Sequence, residues 1–209
     1  MAITLTDSYN RALKYATELH SGQKRKGTDI PYISHLLATA VTVMENGQSE
    51  DEVIAALLHD AAEDAGGRKT LERIRNEFGG RVADIVEHCS DTFEENKPPW
   101  EERKKAYLER LKKVEDPSIL LVSIADKLHN ARSILKDYNR IGEDLWERFN
   151  AGRADILCYY IKLHHIYLDN LNEHYPELVE ELGSIIEELN YAINNSFARK
   201  RLAPPSSSI

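Results

Sequence analysis

Along almost the whole chain, apolar residues recur every three to four positions, and long runs alternating with period two are missing. That spacing predicts amphipathic helices and an all-α fold. A first helix is expected over Asp7 to His20, with Leu13, Ala16 and Leu19 turned inward. The loop "SGQKRKGTDIPY" follows, punctuated by Gly22, Gly27 and Pro31. Ser34 is the expected N-cap of a second helix, "HLLATAVTVMEN", which stops at Gly47. Ser49 with Glu52 has capping-box spacing and opens a third helix, predicted to run through "VIAALLHDAAEDA" to Gly66 and Gly67. Short helices over "TLERIRNEFG" and "RVADIVEHCSD" come next, and "TFEENKPPW" then breaks the pattern. The charges of "EERKKAYLERLKKV" mostly pair at i,i+4 spacing and read as a solvated helix face. Asp116-Pro117 begins the strongly apolar "PSILLVSIADKLHNARSILKDY". Two further helices, about Asp144 to Asn172 and Pro176 to Asn195, complete a predicted single-domain bundle over 1–197, with 198–209 as a disordered tail.

The third helix raises the chemical question. Its segment "LLHDAAED", residues 57–64, puts His59, Asp60, Glu63 and Asp64 at the end of an apolar run. On a continuous helix, His59 with Glu63 and Asp60 with Asp64 are both i,i+4 pairs and share a sector. If the helix end is exposed, these groups simply meet water. If it is buried, carboxylates there need compensation, and a cation is the simplest. Two distant residues favour the cation: His35 at the start of the second helix, and Asp126 deep in the apolar one. Jointly, His35, His59, Asp60 and Asp126 offer two imidazoles and two carboxylates, a mixed set that suits a divalent transition metal and leaves positions for water.

Composition narrows the class. With 42% apolar and 30% charged residues, the chain should fold as a globular domain. No segment approaches the length of apolar sequence a membrane span needs, and no signal peptide is evident, so a cytoplasmic protein without membrane contact is expected. Cys89 and Cys158 have no paired spacing and read as reduced core thiols. A formal charge of −8 argues against nucleic-acid binding, so an anionic ligand must find a local basic patch. Gln23 to Gly27, "QKRKG", is one such patch; "ARKRL" in the tail is better read as a frayed terminus.

The order H…HD…D resembles the HD superfamily of metal-dependent phosphohydrolases, which is all-helical. The words "QKRKGTDIPYISH", "AALLHDAAED" and "IADKLHNAR" resemble the hydrolase domain of the RelA/SpoT alarmone enzymes, over roughly Ala12 to Tyr138. The chain is similar to a stand-alone small alarmone hydrolase such as the animal SpoT homologue. The resemblance implies removal of the 3′-pyrophosphate of (p)ppGpp, or of an analogue such as (p)ppApp, with Mn2+. It implies His35, His59, Asp60 and Asp126 as metal ligands, Glu63 and Asp64 as the pair acting on water, Arg25 and Lys26 at the nucleotide, and Asn130 near ribose or base. Lys127, Arg132, Arg153 and Tyr159 are further candidates for contact with the nucleotide. The chain departs from the family pattern at "AGGRKT" after the ED pair, at Leu36 after His35, and beyond Tyr138.

Two other functions fit the same residues: a phosphatase for another phosphorylated nucleotide such as NADPH, and a non-catalytic nucleotide-binding module. The Glu63-Asp64 pair argues against the module, because a pure binder has no need of carboxylates that handle water. His20, His88, His164, His165 and His174 match no motif position and read as structural or surface residues. His129 lies near the site either as a supporting group or as packing. Trp100, Trp146, Tyr159, Tyr160 and Tyr167 read as core. Oligomeric state is not legible.

Overall fold

The computed structural model describes residues 3–94 and 96–202. Among them every regular element is helical: α1 (Asp7–Leu19), α2 (Ile33–Asn46), α3 (Glu50–Leu58), α4 (Ala61–Asp64), α5 (Gly67–Phe78), α6 (Gly80–Cys89), α7 (Trp100–Leu111), α8 (Pro117–Ile141), a 3-10 turn (Gly142–Arg148), α9 (Arg153–Asn170) and α10 (Pro176–Leu202). One isolated antiparallel bridge, Lys24 with Pro31, pinches the loop before α2.

Side chains explain most of the helix starts. Ser49 and Glu52 form the expected capping box of α3. Glu52 Oε2 also accepts the Gln48 N–H, while Oε1 accepts the Ser118 hydroxyl in the first turn of α8. One buried glutamate therefore ties the starts of α3 and α8 together. The start of α2 differs from expectation, since Tyr32 and not Ser34 is its N-cap, without a side-chain hydrogen bond. Loop bonds set the entry instead: Tyr32 N–H to Gln23 O, and Arg25 N–H to Ile30 O. These hold the basic loop and Tyr32 beside the end of α3.

The axis of the fold is α8, 25 residues and about 38 Å long, capped by Asp116 with Pro117 in its first turn. Every residue from Ile119 to Leu128 is buried, because α2, α3, α6 and α10 all pack on it. Asp126 and Lys127 thereby lie in the core.

The third helix is not continuous. It ends at Leu58 and resumes as α4 after His59 (φ −58°, ψ −32°) and Asp60 (φ −94°, ψ −7°). The Asp60 backbone sits at the sparsely populated edge of the helical region, which re-aims the chain at the HD dipeptide. Gly66 and Gly67, at φ +83° and +55°, then turn it into α5. A Cβ on Gly67 would stand 2.8 Å from the Phe93 carbonyl oxygen, so glycine is what lets residues 91–93 lie against the start of α5 and beside Glu63.

Other departures are local. The helix expected from Asp144 is a 3-10 turn followed by α9. The final helix, α10, runs to Leu202, into the segment read as tail, and 203–209 lie outside the described residues. Cys89 is buried as expected, but Cys158 is exposed, because it falls on the solvent side of α9 with Ile161 and Leu168. Tyr159, Tyr160 and Tyr167 are core residues. Among the described residues, no helix is long and apolar enough to cross a membrane.

Candidate active site

His35 on α2, His59 at the α3–α4 break and Asp126 on α8 bring donor atoms within 4.8 Å of one another, and Asp60, next to His59, borders both imidazoles. His35 Nε2 lies 3.2 Å from Asp126 Oδ1 and 3.6 Å from Asp60 Oδ2; His59 Nε2 lies 3.1 Å from Asp60 Oδ2 and 3.7 Å from Asp126 Oδ1. Donors bound to one ion at about 2.1 Å stand about 3.0–3.5 Å apart, so this spacing fits a shared divalent metal. The tautomers fit as well. His59 Nδ1 donates to the Ala56 carbonyl at 2.8 Å, which leaves Nε2 as a bare lone pair, buried and without a hydrogen-bond partner. A lone pair facing two carboxylates is an arrangement a cation relieves. Without the cation the imidazole itself responds: burial disfavours its charge, but Asp60 and Asp126 outweigh burial and raise its pKa well above the usual histidine value.

The candidate metal donors are held from behind. Tyr32 donates its hydroxyl to Asp60 Oδ2 at 2.6 Å. His35 Nδ1 meets His129 Nδ1 at 2.7 Å, so one of the two must donate to the other. Burial is the main cause that lowers the His129 pKa to about 4, with His35 and Arg25 adding to it, so His129 is neutral at pH 7. A proton on His35 Nδ1 given to the His129 lone pair leaves His35 Nε2 free to face the metal. Asp126 accepts from Lys127 through Oδ2 and from the Asn130 amide through Oδ1. Burial pulls its pKa up, but Lys127, His35 and His59 more than offset that and hold it well below the ordinary carboxylate range.

Glu63 and Asp64, one turn beyond Asp60, occupy the open edge of the site, where helical bonds such as Asp64 N–H to Asp60 O hold the turn together. Glu63 Oε2 accepts the Asp91 N–H at 2.8 Å and Oε1 the Lys97 ammonium at 3.1 Å. Burial, then the nearby Asp91 charge, raises the Glu63 pKa against the opposing pull of Lys97. Asp91 is buried and neutralised by Arg103 at 2.9 Å and by Lys104. A cavity of about 1270 Å³ opens beside Glu63 and Asp64, lined by Arg68, Lys69, Lys97 and Arg110 together with Glu87, Asp91 and Glu94.

The residues expected at the nucleotide are dispersed. Arg25 is half-buried over the Tyr32 ring and donates to Asn130 Oδ1, so both stand beside Asp126 and Asn130 orients that ligand. Lys26 is exposed and bonds Asn150 at 3.2 Å. Lys127 faces inward, 7% exposed, with its ammonium over the Tyr107 ring, so it neutralises Asp126 and does not meet solvent. Arg132 points away from the site into a two-pronged pair with Glu181 on α10, both bonds 2.7 Å. Arg153 donates to Glu143 at 2.9 Å.

Sequence reasoning missed Tyr32, Asp91, Lys97, Arg103 and Lys104. Tyr32 stood in the quoted word "PYI", and the other four lie in or next to segments read as a breaker loop and a solvated helix. Arg103 and Lys104 belong to α7, yet Asp91 draws them inward.

Comparison with known proteins agrees with this geometry. Residues 12–157 match the HD domain family. A guanosine-3′,5′-bis(diphosphate) 3′-pyrophosphohydrolase of Aquifex aeolicus is 37% identical over 61% of this chain and 18% of its own length. The bifunctional (p)ppGpp synthase/hydrolase SpoT of Escherichia coli is 31% identical over 83% of this chain and 23% of its own length. The chain thus spans less than a quarter of these relatives. Among solved structures, a metazoan SpoT orthologue described as hydrolysing ppGpp superposes with a TM-score of 0.70 at 23% identity, covering 88% of this chain and 97% of that one. A Listeria monocytogenes protein superposes at 0.62 with 27% identity, over 77% of this chain and 99% of that one. The family match, the shared helical fold and the gathering of two histidines and two aspartates at the α3–α4 break lead to the same place: this chain belongs to the HD-domain family and is homologous to a segment of SpoT-type proteins.

Proposed function

We propose that this chain is a Mn2+-dependent hydrolase of the 3′-pyrophosphate of (p)ppGpp, or of a close analogue such as (p)ppApp, giving the nucleoside di- or triphosphate and pyrophosphate. The observation that carries this reading is one adjacency: a buried cluster of metal-competent donors beside Glu63 and Asp64, which in turn border a cavity with Arg68, Lys69, Lys97 and Arg110 among its lining residues. The names of the relatives supply the substrate, and the mixed nitrogen and oxygen donors suit a first-row ion such as Mn2+.

His35, His59, Asp60 and Asp126 would hold the metal, which when bound supplies Lewis-acid polarisation of water and phosphate. Glu63 and Asp64 orient the attacking water and take its proton. Glu63 suits the second task, because burial and Asp91 hold its pKa closer to neutrality than that of a free carboxylate. Water attacks the phosphorus joined to the 3′ oxygen; the P–O3′ bond breaks, pyrophosphate departs, and the 3′ oxygen takes up a proton. Lys97, Arg68 and Lys69 offer the phosphates cationic contacts, set among the carboxylates Glu87, Asp91 and Glu94 of the same cavity.

Offering ppGpp, ppApp, NADPH and simple nucleotides to the purified protein, with Mn2+ or EDTA, and separating the products tests the reading. Pyrophosphate release from ppGpp or ppApp that EDTA abolishes supports it. Orthophosphate from NADPH alone points to the phosphatase, and absence of any turnover removes the enzyme.

A further inference from the structure

His20, at the C-terminal end of α1, belongs neither to the metal cluster nor to the carboxylate pair, yet it touches supports of both. The residue is 4% exposed and its ring stacks on Tyr32, with centroids 5.1 Å apart and planes 21° from parallel. Tyr32 is the residue whose hydroxyl holds Asp60. On its other side, His20 Nδ1 lies 2.7 Å from Gln23 Oε1, and Gln23 Nε2 donates to Asp64 Oδ2 at 2.9 Å. We propose that His20 is a positioning residue that joins the two arms of the site, holding Asp60 through the Tyr32 ring and Asp64 through the Gln23 amide. The Asp64 arm rests on the hydrolase reading above.

Hydrogen-bond polarity fixes the direction of this chain. A carboxylate only accepts, so the Gln23 NH2 must face Asp64 and the Gln23 oxygen must face His20. His20 must then carry its proton on Nδ1. Its Nε2 is left buried with no partner, a state that costs free energy. A phenylalanine would stack on Tyr32 without leaving that nitrogen orphaned, so Nδ1–H is the reason the ring is a histidine. Gln23 is itself held at both ends of its backbone, N–H to His20 O and C=O from Tyr32 N–H, so the amide transmits position with little slack.

Two substitutions separate the arms. His20→Phe keeps a ring against Tyr32 and removes the donor to Gln23; His20→Asn keeps a donor near the Nδ1 position and removes the ring. Mn2+ affinity by calorimetry, turnover of ppGpp at saturating Mn2+, and thermal midpoint are measured for each. The expected result is a crossed pattern: H20F loses turnover about 10-fold with Mn2+ affinity within about 2-fold of wild type, whereas H20N recovers most of the turnover but loses about 10-fold in Mn2+ affinity. Gln23→Met should reproduce H20F, and H20F/Q23M should be no slower than Q23M alone, because one chain is cut twice. Parallel losses of turnover and affinity that follow the thermal midpoint overturn the proposal, and so do additive losses in the double variant. Absence of turnover by the wild-type protein overturns the hydrolase reading and the Asp64 arm with it, while the Mn2+ affinity of H20N still decides the Asp60 arm.

Discussion

His35 and Asp126 sit on long packed helices with 1% and 8% of their side chains exposed, whereas Glu63 and Asp64 hang from a four-residue helix with 16% and 26% exposed. The first pair is held by neutral or inward-facing groups, His129 behind His35, and Asn130 and Lys127 behind Asp126. The second is held by the half-exposed side chains of Gln23 and Lys97 and by the backbone of the buried Asp91. Rigidity and dryness suit donors that must keep one spacing for one ion. Access to water suits groups that exchange protons with a substrate, and so does the raised pKa of Glu63. The two halves should therefore fail differently: damage to the dry half should appear in metal affinity and stability, and damage to the wet half in turnover and pH dependence.

The largest effect is expected at Asp126. Asp126→Ala leaves the Lys127 ammonium buried and unpaired, and the metal-free protein should lose about 3–5 kcal/mol in denaturant unfolding. The same variant should also show the loss of bound metal that elemental analysis detects. Glu63→Gln should keep its metal and lose about 10²–10³-fold in turnover. If Glu63 takes the proton from water as proposed, its ionised form is the working one, and since its pKa is raised the acid limb of the wild-type rate profile should lie above the ordinary glutamate value of about 4.3. Lys97 opposes that rise, so Lys97→Met should move the limb to still higher pH. His129→Phe comes next: a drop of about 10- to 100-fold in Mn2+ affinity, partly restored by His129→Asn, with turnover at saturating metal nearly intact. The smallest effect belongs to Arg132→Ala, which breaks an exposed pair with Glu181 and should cost less than about 1 kcal/mol with unchanged turnover. A substantial loss of turnover there would return Arg132 to the site.

How much of this was legible in the sequence follows the same division. Helical periodicity, the Ser49–Glu52 capping box and the Asp116-Pro117 start gave the elements, because these are local signals. The four donors were also readable, since buried His and Asp in apolar helices demand an explanation wherever they occur. The break at His59-Asp60 was not. Each residue there is compatible with a helix, and the groups that the kink faces, His35 and Asp126, lie far away in sequence. Arg103 and Lys104 were hidden for a related reason: on α7 they carry the spacing of a solvated face, and it is Asp91, from a loop with no periodic signal, that draws them in. Lys127 and Arg132 failed the other way. Their neighbourhood in sequence to Asp126 suggested the site, but successive helical positions point 100° apart, which sent one inward to Tyr107 and the other across to α10.

The central claim is that water handled by Glu63 and Asp64 attacks the phosphorus bonded to the 3′ oxygen of the nucleotide. Hydrolysis of ppGpp by the Mn2+-loaded protein in water enriched in heavy oxygen, with the products read by mass spectrometry, tests it most directly. The account expects one labelled oxygen in the released pyrophosphate and none in the GDP. Label in the GDP, or turnover that yields orthophosphate in place of pyrophosphate, would contradict it.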